Sequence, residues 1–365
     1  MKEFFTMWKY TKMVVLVAVT AALYAGLMIP FKAIVLVPGF TELRPAVVVP
    51  VVFGLLFGPA GAWGAALGNL IGDILGAMLS AGSIFGFLGN FLLGAVACGV
   101  WGKWPFFPRD IPAGLGSARH VAQFVLIVLV ASFSCAAMIG LGVEVLHLFP
   151  FAILAVIIAI NDVLMPLLIG PALVALLAPR VQRWGLLWTD ILEEKDRGWH
   201  IAPALGALFI VLGGLGAFIG GLGTATAFYG SRLTRLPQAG EGPLRLAAAM
   251  YDHRFFGGEE ARRSVTVRDE TGEPGAVEVR WRLTLAGEER EGPAVPQPGG
   301  FQIAFQVPSV AERVHGRLTV EARKEEHTVT LELPVDVFPP GTTRLGVVLV
   351  SGAFLLLLGV GFLLL

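Results

Sequence analysis

Charge is scarce in this chain. Only 15% of its 365 residues are Asp, Glu, Lys or Arg, where an average soluble domain carries about a quarter. The 27 basic and 27 acidic residues cancel, so nothing in the balance points to a nucleic-acid partner. There are two cysteines, Cys98 and Cys135, and both lie in apolar runs. They read as small core residues rather than a disulfide or metal pair. The phosphate-cradling pattern G-x-x-x-x-G-K-[ST] does not occur, so any ATP hydrolysis tied to this chain takes place in a partner. No cofactor is implied.

What the chain has instead is apolar sequence, 55% of all residues. Runs bounded by charge or proline predict spans near 13–30, 45–59, 60–79, 84–102, 120–142, 150–178, 200–222 and 344–365. Lys2, Lys9 and Lys12 before the first run imitate a signal peptide, but no clear cleavage site follows, so the run is read as a retained span. The second span is short: thirteen residues separate Pro45 from Pro59, roughly 20 Å of helix against roughly 30 Å of hydrocarbon. Basic residues argue that it crosses. With it, Lys2, Lys9, Lys12, Lys103, Arg109, Arg119, Arg180, Arg183, Lys195 and Arg197 all fall on one side, and the short loops opposite keep Lys32 and Arg44. The positive-inside rule then makes the N-terminus cytoplasmic.

Composition changes after Thr224. "AVEVRWRLTLAG" alternates Val277, Val279, Trp281, Leu283 and Leu285 with Glu278, Arg280 and Arg282, and "FQIAFQV" and "TVTLELPVDV" repeat the pattern. Short alternating strands separated by turn clusters predict an all-β, immunoglobulin-like sandwich over 224–343. By span parity it is extracytoplasmic. The expected organisation is a six-helix membrane domain (1–180), a cytoplasmic linker (181–199), a seventh helix (200–222), the sandwich and an eighth helix (344–365). Within the linker, Trp184, Leu187, Trp188 and Ile191 have the spacing of an amphipathic helix lying on the inner leaflet of the bilayer.

Inside the spans a few polar residues stand out. Asn69 and Asp73 in "GNLIGDIL" are one helical turn apart, hence on one face. An acid at the centre of a span costs about 2.5–3.5 kcal/mol on insertion scales, which makes it a functional candidate. Beside the pair runs a row of Gly64, Gly68, Gly72 and Gly76, suited to close helix contact. The next span carries Asn90 in a row with Gly82, Gly86 and Gly94. The sixth carries Asn161 and Asp162, followed by Pro166, which removes the N–H that would bond the Asp162 carbonyl. That predicts a free carbonyl beside a carboxylate, ready for a ligand. Glu42 and Arg44 lie at the outer rim, and all seven residues belong to the outward half. They predict a substrate pocket open to the outside. The competing reading is that such groups bond one another across helices as packing glue, worth about 0.6 kcal/mol each. Glu144 and His147, at the outer mouth of the fifth span, are expected to be solvated.

Thr20 to Gly94, "TAALYAGLMIPF…FTELRPAVVVPVVFGLLFGPAGAWGAALGNLIGDILGAMLSAGSIFGFLGNFLLG", resembles the substrate-binding S component of energy-coupling factor (ECF) vitamin transporters. The likeness extends over roughly 10–180, the size of that family's six-helix unit. It implies capture of a small-molecule micronutrient from outside, under a lid formed by the loop 31–44. Transport then requires a transmembrane coupling subunit and two cytoplasmic ATPase subunits. The resemblance assigns Ala18, Ala21, Ala22 and Ala25, two overlapping A-x-x-x-A pairs, to docking on the coupling subunit. Two acids in the pocket favour a cationic or hydrogen-donating ligand, such as a thiamine-like or queuosine-precursor-like base, whereas Arg44 would suit a carboxylate. The seventh helix, sandwich and eighth helix exceed the family's pattern. Two alternatives remain: a cobalt- or nickel-type permease subunit, against which stands the lack of an early His in "MKEFF", and a membrane-anchored sensory or structural protein presenting the sandwich. An aspartyl protease dyad of Asp73 and Asp162 has no support in the flanking sequence.

Overall fold

A computed structural model describes residues 2–31, 35–37, 41–42, 44–76, 79–109, 115–146, 148–197, 202–229, 238–240, 244–248, 254–269, 277–297, 300–324, 327–339 and 345–365. The chain forms two compact units, one of residues 1–228 with 346–365 and one of residues 229–345.

The first unit is helical. In order it comprises α1 (Glu3–Thr6), α2 (Thr11–Phe31), the strand pair β1 (Val35–Val37) and β2 (Thr41–Glu42), α3 (Val48–Phe57), α4 (Pro59–Leu75), α5 (Gly82–Val100), α6 (Ala118–Val145), α7 (Phe151–Arg183), α8 (Trp188–Ile191), α9 (Pro203–Tyr229) and α10 (Leu345–Leu364). Among the described residues, six helical stretches are long and apolar enough to cross a membrane: Thr11–Phe31, Gly82–Val100, Ala118–Val145, Phe151–Ile191, Pro203–Ala225 and Gly346–Leu364. The 17 residues of α4 span about 26 Å. α3 has 10 residues and every one is buried. A helix enclosed by protein has no lipid thickness to match, which is why about 15 Å of it suffices here.

Small residues set the helix spacing. A Cβ on Gly68 would lie 2.8 Å from the Ala21 carbonyl oxygen, and Gly64 and Gly72 press on Thr20 and Met28 in the same way. α4 thus lies directly against α2, as the glycine row predicts, except that Gly76 serves as the C-cap of α4. Between α3 and α4 stands Gly58 alone, at φ +55°, with the Trp188 ring against it. Any side chain there would meet the ring and strain the backbone.

α9 and α10 belong to the bundle. Gly213 packs on Leu358, and Gly206 and Gly361 approach each other's backbone. Ser351 Oγ donates to the Ala217 carbonyl at 3.0 Å, and Phe218 of α9 stacks on Phe133 of α6 at 4.6 Å. The segment after α7 departs from expectation. Gly185 at φ +60° ends the helix, and α8 is a four-residue turn. Trp188 and Ile191 pack against the bundle core, while Trp184 is exposed, so no continuous amphipathic helix forms.

The linker instead clasps the N-terminal segment. Tyr10 Oη donates to Asp196 Oδ2 at 2.7 Å, Thr6 Oγ1 donates to the Asp196 carbonyl at 2.7 Å, and Lys9 Nζ lies 4.0 Å from Asp196 Oδ1. The Tyr10 hydroxyl, with Lys9 and Lys2 adding, holds the Asp196 carboxyl below its ordinary value against the opposing effect of burial. Depression of this kind contributes stability that is complete above the unfolded value, about pH 4, and disappears as pH falls through the lower folded value. Tyr10→Phe is therefore expected to lower the melting temperature at pH 7. The gap from the parent should close progressively below about pH 4, as thermal unfolding in detergent would show.

The second unit is a sandwich of two five-stranded sheets. One has the order β3 (Gln238–Ala239), β4 (Leu244–Ala248), β6 (Glu260–Asp269), β10 (Gly300–Gln306) and β9 (Val295–Gln297); the other runs β5 (Arg254–Phe256), β12 (His327–Phe338), β11 (Val314–Lys324), β7 (Glu278–Leu285) and β8 (Glu288–Pro293). All pairs are antiparallel except β5 with β12. The alternation holds: Val279, Trp281, Leu283 and Leu285 are buried and Glu278, Arg280 and Arg282 exposed. Trp281 and Phe255 of one sheet meet Phe305 of the other at 5.1 and 5.5 Å, closing the core without a disulfide.

Candidate functional site

At the end of the bundle where α2, α4 and α6 finish, the helices enclose a cavity of about 740 Å³ including its open mouth. α4 contributes Asn69 and Asp73, α5 contributes Ser83 and Asn90, α6 contributes Cys135 and Ile139, and α7 contributes Ile158, Asn161 and Asp162. Arg44, Ser80 and Leu148, from the connecting segments, line the mouth. Six of the seven residues singled out by depth and polarity thus surround one space. The backbone of the seventh, Glu42, pairs with Val35, and its side chain lies outside what the structure describes.

The polar groups are ordered by one another. Arg44 Nη1 donates to Asn69 Oδ1 at 3.3 Å, and Asn69 Nδ2 donates to Asp73 Oδ2 at 3.4 Å. The Arg44 backbone N–H donates to Asn161 Oδ1 at 3.4 Å. Asn69 has room because its neighbour on α5 is Gly86, where a Cβ would sit 3.0 Å from Asn69 Nδ2. Asn90 accepts from Tyr24 Oη at 2.8 Å and donates to the Gly86 carbonyl at 2.9 Å, which uses half of its four hydrogen-bonding positions. Cys135 of α6 and Asp162 of α7 lie side by side in the lining. Among the described lining residues, two are carboxylates and one, Arg44, is a cation.

Two expectations require correction. The Asp162 carbonyl freed by Pro166 is not open to a ligand, because Ser132 Oγ donates to it at 2.8 Å. A buried carbonyl without a donor is costly, and α6 supplies one. Glu144 is not solvated either: it is 1% exposed and accepts from the Phe151 N–H, capping the N-terminus of α7. His147, expected to be solvated beside it, lies outside the described residues. The lining also includes Ser83 and Cys135, and Tyr24 and Ser132 support it from behind through Asn90 and the Asp162 carbonyl; spacing did not single out these four.

The alanines of α2 divide. Ala21 and Ala25 are buried, Ala21 beneath Gly68, and so cannot also present a docking face. Ala18 and Ala22 are exposed. Gly26, next on their row, has no atom within 4 Å of the place a Cβ would take. Among the described residues no group of three or more His, Cys, Asp or Glu side chains is placed to hold a metal ion.

Residues 14–179 match the family model described as QueT transporter. The match covers the six-helix part, from the first turn of α2 to the last turns of α7, and under half of the chain. A search of the curated proteins returns no match.

Proposed function

With residues 14–179 a QueT-type unit, of an ECF S-component family, we propose that this chain captures a queuosine precursor or a closely similar base, rich in hydrogen-bond donors, in the α4–α7 cavity. The chain is a multi-pass membrane protein and a substrate-capture transport subunit; the ligand and its site are the new elements. One observation carries them: Arg44, Asn69, Asp73, Asn90, Asn161 and Asp162 come from separate segments of the chain yet line one cavity. Carboxylates and amide oxygens accept the N–H groups of a base, and the amide nitrogens and the serines at the mouth donate to its carbonyl.

In this reading the N-terminus is cytoplasmic in the cell membrane, the cavity opens outward and the sandwich is extracytoplasmic. The basic residues at the opposite end of the bundle from the cavity support that orientation. A coupling subunit and two ATPases supply the energy, docking on Ala18 and Ala22. No metal is required by this donor set, and a lining rich in amides and without His among its described residues suits an organic ligand better than cobalt or nickel.

The test is to purify the chain from its own membranes and identify co-eluting small molecules by mass spectrometry, then titrate the ligand-free protein with a queuosine precursor and with thiamine. A stoichiometric base is expected, and the bound ligand should slow modification of Cys135 by thiol reagents in a Cys98→Ser background. Failure of both bases to saturate the protein, with nothing co-eluting, sinks the proposal.

A further inference from the structure

We propose that Asp162, and not Asp73, receives the cationic group of the ligand, while Arg44 serves as the internal counter-ion of the α4 polar pair. The inference rests on reading the cavity as the substrate site, and it assigns unlike roles to two acids that the sequence treats alike.

The asymmetry lies in their partners. Arg44, Asn69 and Asp73 form one connected run, the guanidinium on the Asn69 carbonyl and the Asn69 amide on the Asp73 carboxylate. The Arg44 backbone is also fastened, through Asn161. The printed hydrogen bonds of Arg44 thus lie on Asn69 and Asn161, while its charge is also felt at Asp162. Asp162 sits on α7, 3% exposed, with Cys135 beside it in the lining and the Arg44 charge acting on it through space. Among the described residues no Lys, Arg or His forms an ion pair with it. A thiol is a weak donor and leaves most of the acceptor capacity of a carboxylate unused.

Charge counting points the same way. Two carboxylates and one guanidinium leave the described cavity lining one positive charge short of balance. A ligand carrying a single cation completes it without displacing Arg44. That cation goes to the acid that has no ion pair among the described residues, because a buried charge is tolerated when paired and hydrogen-bonded. The position of Asp162 is firmly held: Ser132 binds its carbonyl from α6, which joins α6 and α7 at the level where Pro166 has removed the helix's own hydrogen bond. Ser132 is thus a positioning residue. An anionic ligand is disfavoured, since it would have to draw Arg44 away from Asn69 and would leave Asp162 facing like charge.

The experiment compares two probes on the full chain in detergent: a queuosine precursor base bearing a cationic amine, and an analogue of it lacking the amine. Asp162→Asn is expected to weaken the aminated probe about a hundredfold, as for loss of one partner of a buried charge pair, and the neutral analogue less than about threefold. Asp73→Asn should weaken both by a similar factor below about tenfold, because it disturbs Arg44 and Asn69 rather than the cation's own partner. Asp162→Glu keeps the charge and should retain the preference for the amine, which guards against a folding defect in the amide variant. An amine-selective loss in Asp73→Asn, or equal losses for both probes in Asp162→Asn, overturns the assignment while leaving the cavity as the binding site. A parent chain that binds neither probe removes the proposed function and this assignment together.

Discussion

Replacing Gly94 by valine is expected to leave little or no monodisperse folded protein. α3, α4 and α5 meet where Gly54, Ala62 and Gly94 touch. A Cβ on Gly94 would lie 2.7 Å from the Ala62 Cα and 3.1 Å from its nitrogen, and one on Gly54 would lie 3.0 Å from the Gly94 Cα. These obstacles are backbone atoms, so no rotamer change relieves them. Overpacking a core where side chains can yield costs about 1–3 kcal/mol, and a rigid three-helix contact stands at or beyond the upper end. Against a net stability of roughly 5–15 kcal/mol that is a large fraction. α4 and α5 also carry Asn69, Asp73 and Asn90, so separating them opens the cavity and abolishes binding. Gly26→Ala, with nothing within 4 Å of the added methyl, is the matched control and should be silent. Size-exclusion chromatography and thermal unfolding decide the matter: a Gly94→Val variant that elutes as the parent does and melts within about 2 °C of it would show that these three helices do not cross so closely.

The same physics explains which parts of the fold the sequence discloses. A polar side chain in a hydrocarbon-spanning segment has few places to go, so depth and spacing alone bring Asn69, Asp73, Asn90, Asn161 and Asp162 to one level. The glycine row of α4 is legible because the i, i+4 period allows one face. What stays hidden are choices among neighbours of equal polarity. Nothing in the chain says that Arg44 turns inward onto Asn69 rather than outward to a ligand, or that Glu144 caps α7 across the loop. The carbonyl freed by Pro166 is foreseeable, but its donor Ser132 lies 30 residues away in another helix. The linker misleads because Trp184, Leu187, Trp188 and Ile191 keep helical spacing. Gly185 breaks the helix within them, and Trp188 covers the α3–α4 turn instead of lying on lipid. Span counting also gives no sign that α9 and α10 join the bundle. Their glycines face one another and α6, a pairing that separation by more than a hundred residues conceals.

Ala18→Leu with Ala22→Leu is expected to reduce uptake by more than about tenfold and leave ligand binding unchanged, which rests on the proposed docking of a coupling subunit. The two A-x-x-x-A pairs of α2 are offset by three positions, and a 3.6-residue period alone does not say which pair faces inward. Here Ala21 and Ala25 take the inner position against α4, and Ala18, Ala22 and Gly26 form an outer row with little to cover them. Such a row lets another helix approach to backbone contact, and leucines on it hold that helix away. A loss of about 1.4 kcal/mol across that contact is a tenfold change in an association constant. Within the chain itself Ala18 and Ala22 are exposed, so melting temperature and affinity should stay as they are. Ala21→Leu reverses the pattern: it drives a side chain against Gly68, lowers the melting temperature and impairs binding first. Uptake measured in cells alongside equilibrium binding on purified protein separates the two faces. Full uptake by the Ala18→Leu, Ala22→Leu double variant would move the docking surface to another helix and leave the cavity as described.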